Sequence, residues 1–226
     1  MQKRWIPVVI FCLAVVLMLA AHLCGRSMAT PVFTFADSEK EVYLTFDDGP
    51  STSVTRPILD TLKKEGIKAT FFVVGDRVYG REDILKRIAV EGHTIGVHSQ
   101  THHYNEIYAS DEAFEKDVKA CAGVIERVTG IFPSVYRFPG GGRHPSKEEI
   151  LKKLGYEIVW WNCVCGDAEI ENADVDTLLN TTIATSAGKR RVVVLMHDSA
   201  SHKHTAEALP KIIDHFRENN YTFKSF

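Results

Sequence analysis

The chain has almost no net charge: 27 Lys and Arg against 29 Asp and Glu leave a formal −2 at pH 7. No long basic run breaks that balance, so no nucleic-acid surface is expected. Cysteine is scarce, with five residues, and two of them, Cys12 and Cys24, lie in or beside an apolar N-terminal stretch. The other three, Cys121, Cys163 and Cys165, are odd in number, and a domain this large needs no disulfide staple. Cys163 and Cys165 stand two apart in a strand-like stretch and point to one face. No His or Cys surrounds them at zinc-site spacing, so they read as small buried apolar residues. Internal repeats, low-complexity tracts and a second domain are absent as well.

A comfortable membrane span is also lacking. Lys3 and Arg4 precede sixteen uncharged, mostly apolar residues, Ile6 to Ala21. As a helix that run is ~24 Å long. It exceeds the usual apolar core of a signal peptide and needs Trp5 and Leu23 to reach across a bilayer. Residues 1–29 therefore read as an uncleaved membrane anchor with a short linker, or as a signal peptide cleaved near Ser27-Met28-Ala29. Cys24 invites a lipoprotein reading, but the large Leu23 before it speaks against that. Either way the rest of the chain is expected to be exported, anchored with its domain facing outward or secreted.

What is present is one α/β pattern from Ala36 to the end. With 226 residues, 45% of them hydrophobic, the chain can bury a single sizeable core. Strands are expected at Val42–Phe46, Thr70–Val74, Thr94–His98, Ser134–Phe138, Glu157–Asn162, Val192–Met196 and Thr222–Phe226. Helices are expected at Val54–Glu65, Glu82–Glu91, Asp111–Thr129, Ser146–Leu154, Val175–Ser186 and Thr205–Asn219. Gly66, Gly92, Gly130 and Gly155 serve as C-terminal stops, and Asp111 and Ser146 as N-caps. Seven strands alternating with six helices predict parallel βα units, hence an α/β barrel or a doubly wound sheet.

In such folds function gathers on loops at the C-terminal strand ends. The first strand ends in Asp47-Asp48 and stops at the turn Gly49-Pro50. The pair is either an Asp-rich turn or one metal-binding carboxylate beside a free base; further ligands decide between them. The third strand delivers His98 and His102, at a spacing that on one helical turn puts both rings on one face. The fourth delivers Arg137-Phe138-Pro139-Gly140, the fifth Asn162 and Asp167, the sixth His197-Asp198. Two His and one carboxylate form a set with open positions, suited to metal-activated water. His103, His202 and His204 read as loop residues.

Five motifs in order resemble the polysaccharide deacetylases, the NodB-homology or carbohydrate esterase 4 enzymes: Thr45-Phe46-Asp47-Asp48-Gly49-Pro50, His98-Ser99-x-x-His102, Arg137-x-Pro139-Gly140, Asp167 and Leu195-Met196-His197. The resemblance spans Val42 to the C-terminus and makes residues 36–226 the catalytic domain. It implies a distorted (β/α)7 barrel and one divalent ion, zinc before cobalt, nickel or manganese, on Asp48, His98 and His102. Asp47 would be the general base and His197 the general acid, oriented by Arg137 and Asp167 respectively, with the Gly140 N–H as oxyanion donor. Leu195, Trp161 and Pro139 would meet the substrate. Relatives often carry Trp after the Asp167 position, where this chain has Ala168, and Tyr or Arg at the Gly140 position, where glycine keeps the backbone donor and leaves a more open subsite. The implied partner is an acetylated polysaccharide, most simply peptidoglycan N-acetylglucosamine, and the protein would act as a monomer. An O-acetyl esterase of xylan-type glycan and a non-catalytic glycan-binding relative are the alternatives.

Overall fold

Strand β1 (Lys40–Gly49) is the axis of the domain. From Leu44 to Asp47 it is buried without a break, as expected of a parallel strand covered on both faces. In the computed structural model, which describes residues 39–226, it pairs in parallel with three strands. Strand β8 (Tyr221–Lys224) takes its first residues, β2 (Thr70–Val74) its last, and β7 (Arg191–His197) runs along almost its whole length. The sheet continues from β2 through β3 (Thr94–Ser99) and β4 (Val135–Tyr136) to β5 (Glu157–Ile158), and from β7 to β6 (Cys163–Val164). Seven strands lie on that path, all parallel, with β8 off it, so the expected barrel is present in a distorted form.

The distortion has a local cause. One strand was expected at Glu157–Asn162; the chain there changes partner instead. Val159 N–H still bonds Tyr136 of β4, whereas Asn162 N–H bonds Val193 of β7. The segment between them crosses from one sheet edge to the other, and no ladder joins β5 to β6 among the described residues. The Asn162 side chain secures the far end, donating to Arg191 O and accepting from Val193 N–H, so it staples β6 to β7 rather than serving a site.

Six of the helices lie where their apolar periodicity puts them: α1 (Thr55–Glu65), α3 (Glu82–Val90), α5 (Asp111–Thr129), α6 (Pro145–Lys153), α7 (Val175–Ser186) and α8 (Lys203–Glu218). Two four-residue helices, α2 (Gly75–Val78) and α4 (Tyr104–Ile107), are too short to leave a periodic signal. The caps correct two expectations. Ser110, not Asp111, caps α5 by accepting the Ala113 N–H. Ser146 is inside α6 and instead donates to the Asp111 carboxylate. Helices and sheet enclose one main core that includes Leu44, Phe46, Phe71, Phe114 and Phe216. Cys121, Cys163 and Cys165 are buried and free, as their apolar surroundings suggested. Among the described residues no helix is long and apolar enough to cross a membrane. The proposed anchor, residues 1–29, lies outside the described residues.

Candidate active site

Two bulges build the site. In β1 the register passes from Asp47, opposite Phe72, to Gly49, opposite Val73, and leaves Asp48 unpaired. In β3 it passes from Val97 to Ser99 and leaves out His98. Successive strand side chains ordinarily face opposite sides; a bulge lets neighbours share one. Asp47 and Asp48 thereby line the same cavity, about 280 Å³ in volume, at the C-terminal ends of the strands. Asp48 has φ 74° and His102 φ 62°, left-handed conformations that cost a non-glycine residue on the order of 1–3 kcal/mol. Both outliers belong to the same cluster.

That cluster is Asp48, His98 and His102, each offering one ligand atom within 4.8 Å of the others. Asp48 Oδ1 lies 3.0 Å from His102 Nε2 and 3.4 Å from His98 Nε2. These contacts are close without being aligned as hydrogen bonds, and Asp48 Oδ1 is buried with no hydrogen-bond partner among the described residues. His98 Nδ1 donates to the Arg137 carbonyl at 2.9 Å, which leaves its Nε2 lone pair turned to Asp48. Burial opposes the Asp48 charge, but the two imidazoles overcome it and hold the carboxyl well below the ordinary range. An orphaned carboxylate oxygen facing two imidazole nitrogens is the donor set a divalent ion takes. The two rings do not share a helical face, as their spacing had suggested. His98 ends a strand and His102 sits in the turn after it, their centroids 5.3 Å apart.

Asp47 is held apart from that set. Its Oδ1 accepts from Arg137 Nη1 at 2.8 Å, and the same nitrogen donates to Thr45 Oγ1 at 2.7 Å. Arg137 is fully buried, with its Nε on the Val159 carbonyl and its guanidinium against the Phe72 and Trp161 rings. Burial lowers its pKa and Asp47 opposes that; a guanidinium stays charged regardless. In the β1–β7 ladder Asp47 lies opposite His197. His197 Nδ1 meets Asp167 Oδ1 at 2.8 Å, while Asp167 Oδ2 accepts from the His197 N–H and from Thr205, each at 2.7 Å. Burial alone would lower the His197 pKa, but Asp167, with Asp47 and Asp48 beyond it, pushes it up to about 9. Asp167 in turn is held below the ordinary carboxylate value despite its burial.

The profile of the polysaccharide deacetylase family matches residues 36–159. The chain belongs to that family. It is 34% identical over 197 residues to the peptidoglycan-N-acetylglucosamine deacetylase PgdA of Listeria monocytogenes, a match covering 87% of this chain and 40% of that protein. A peptidoglycan-N-acetylglucosamine deacetylase of Bacillus cereus is 33% identical over 199 residues, 85% of this chain and 71% of that one. Among solved structures, the catalytic domain of the Eubacterium rectale peptidoglycan N-acetylglucosamine deacetylase superposes with a TM-score of 0.75 at 33% identity, covering 84% and 90% of the two chains.

Of the residues expected to meet substrate, Leu195 and Trp161 line the cavity, as does Gly140. Pro139 does not: it is buried, and its carbonyl accepts from the Tyr108 hydroxyl at 2.8 Å. Trp160 packs behind the cavity-lining Phe138 and against Arg143, and does not line the cavity itself. His202 is more than a loop residue. It lines the cavity with its ring stacked on His197, centroids 5.0 Å apart, and its Nδ1 2.7 Å from Ser199 Oγ. Tyr104 and Glu169 also line it, and Arg77 donates to the Asp48 carbonyl. None of these three sits at a strand end within a motif, so no spacing signalled them. Asp198 is fully buried, bonded by Thr55, and pushed by burial to about 7.

Proposed function

We propose that this protein is a metal-dependent hydrolase that removes N-acetyl groups from a cell-wall polysaccharide, with peptidoglycan N-acetylglucosamine as the favoured substrate. One observation carries the reading. A buried carboxylate, Asp47, and an imidazole, His197, stand opposite each other in the β1–β7 ladder, each gripped by its own counter-charge, beside the Asp48, His98 and His102 set.

Asp48, His98 and His102 would hold one divalent ion, with zinc the favoured one because mixed imidazole and carboxylate sets commonly take it. Bound there, such an ion supplies polarisation of the acetyl carbonyl and acidification of water. Asp47 removes the proton from the attacking water; Arg137 holds its carboxylate in place while Thr45 orients the guanidinium. The Gly140 N–H donates to the oxyanion. His197, charged through its bond to Asp167, gives its proton to the departing amine, without which nitrogen leaves poorly. Leu195 forms the wall for the acetyl methyl.

The proposed unit is a monomer, with residues 36–226 as its catalytic domain. Export through residues 1–29 places that domain on the glycan. The relatives' activity, peptidoglycan-N-acetylglucosamine deacetylation, supports the substrate. Acetate release from peptidoglycan, N-acetylglucosamine oligomers and acetylxylan tests the reading, each with and without chelator. Release from the first two that chelation abolishes and zinc restores is the expected result. Release from acetylxylan alone makes the enzyme an esterase, and release from none makes it a binding protein.

A further inference from the structure

Two successive glycines after β4 each support a ring. Gly140 and Gly141 both have positive φ, 73° and 68°. A Cβ on Gly141 would fall 2.2 Å from the Trp161 ring, so no side chain fits there. At Gly140 the atoms nearest a Cβ are Tyr104 Cζ and Oη, each at 3.5 Å. Any longer side chain at 140 would contest the space that Tyr104 fills. Tyr104 and Trp161 both line the cavity that holds Asp47, Asp48 and His197.

Tyr104 lies in α4, with its ring 5.2 Å from that of His102. It remains 48% exposed, whereas Asp47 and His98 are each 3% exposed. The charged groups therefore form the floor of the cavity and Tyr104 its mouth. Its neighbour Tyr108 spends its hydroxyl on the Pro139 carbonyl; Tyr104 Oη has no hydrogen-bond partner among the described residues.

We propose that Tyr104 is a substrate-contacting residue that holds the acetylated sugar at the mouth, a role that rests on the deacetylase reading above. A pyranose presents C–H faces and a rim of hydroxyls. An aromatic ring offers the first an apolar surface, and a phenol both donates to and accepts from the second. The acetyl group reaches the floor, so the sugar that carries it must stand at the level of Tyr104. Glycine at 140 adds no side chain of its own at that level.

The test compares Y104F and Y104A with the parent on the N-acetylglucosamine tetramer, with metal content measured for each. Losing the hydroxyl should raise KM about three- to tenfold, and losing the ring as well about ten- to a hundredfold. The turnover number and metal content should stay near the parent's. Parent-like KM values in both variants overturn the proposal. So does a Y104A protein that loses metal beside a parent-like Y104F, because Tyr104 would then only prop His102. Calorimetric binding of the tetramer in the D47N background separates this from the function itself. If the parent releases no acetate, the deacetylase reading fails alone. Tetramer that binds D47N but not D47N/Y104A still sustains Tyr104; equal binding to both, or binding to neither, refutes it.

Discussion

Replacing Asp167 with Asn tests how the proposed acid is kept charged. The carboxylate gives His197 two contacts, Oδ1 to the ring Nδ1 and Oδ2 to the main-chain N–H, and Oδ2 also accepts from Thr205. Asn has one acceptor and one donor in their place. Whichever way it turns, an NH₂ group confronts either the ring nitrogen or a pair of donors. The ring is displaced or its tautomer inverted, and the charge that favours imidazolium is gone. His197 stands at about 9 against an ordinary 6.5, a difference on the order of 3 kcal/mol. Without Asp167 the burial that opposes charge prevails more, and the pKa should fall to the ordinary value or below. At pH 8 the ring would then be charged in only about one molecule in thirty.

The pH profile of kcat/KM from acetate release reads this directly. Its alkaline limb should move down by about two and a half units or more. The rate at the optimum should fall on the order of 10²–10⁴-fold, the contribution of a positioned acid. Metal content should not change. Stability follows the same linkage. Because the folded His197 pKa is raised, its contribution is complete below 6.5 and is lost as pH rises through about 9. The lowered Asp167 pKa contributes above 3.8 and is lost as pH falls through its folded value. The parent's advantage in Tm over D167N should therefore be largest between these two ordinary values and shrink towards pH 9. A D167N enzyme with the parent's alkaline limb and Tm profile refutes the reasoning. Asp198 is no substitute partner, because its carboxyl bonds Thr55.

Other substitutions separate the remaining roles. H98A and H102A should each abolish stoichiometric zinc in elemental analysis, and full occupancy in either would dismantle the ligand set. D47N should lose turnover while retaining zinc, whereas D48N should lose zinc affinity; the reverse pattern exchanges the two carboxylates. R137A leaves Asp47 buried without its partner and should lower the unfolding free energy by roughly 3–5 kcal/mol in urea titrations. Stability close to the parent's would mean that water replaces the guanidinium without loss.

Local residue patterns were enough to order the elements and to show which chemistry lies at their ends. Apolar periodicity placed α5 and α7 at their observed limits, because long helices repeat their burial pattern often enough to be recognised. Asp47, Asp48, His98, His102 and His197 could be read as a set because each lies at the end of a strand or in the loop that follows it. Which of these groups face one another depends on strand register and packing. Strand alternation alone would turn Asp47 and Asp48 to opposite sides; the bulge at Asp48 brings them together, and its positive φ falls on an Asp that no glycine signal marked. The split of the fifth strand arises where the backbone exchanges β4 for β7 as its partner, a choice that lies in neighbours distant along the chain. Asp47 and His197 are opposite through the β1–β7 register, His202 is stacked on His197, and Tyr104 occupies the space beside Gly140. Local patterns of residues specify elements and their faces; the packing of elements against one another specifies which side chains meet.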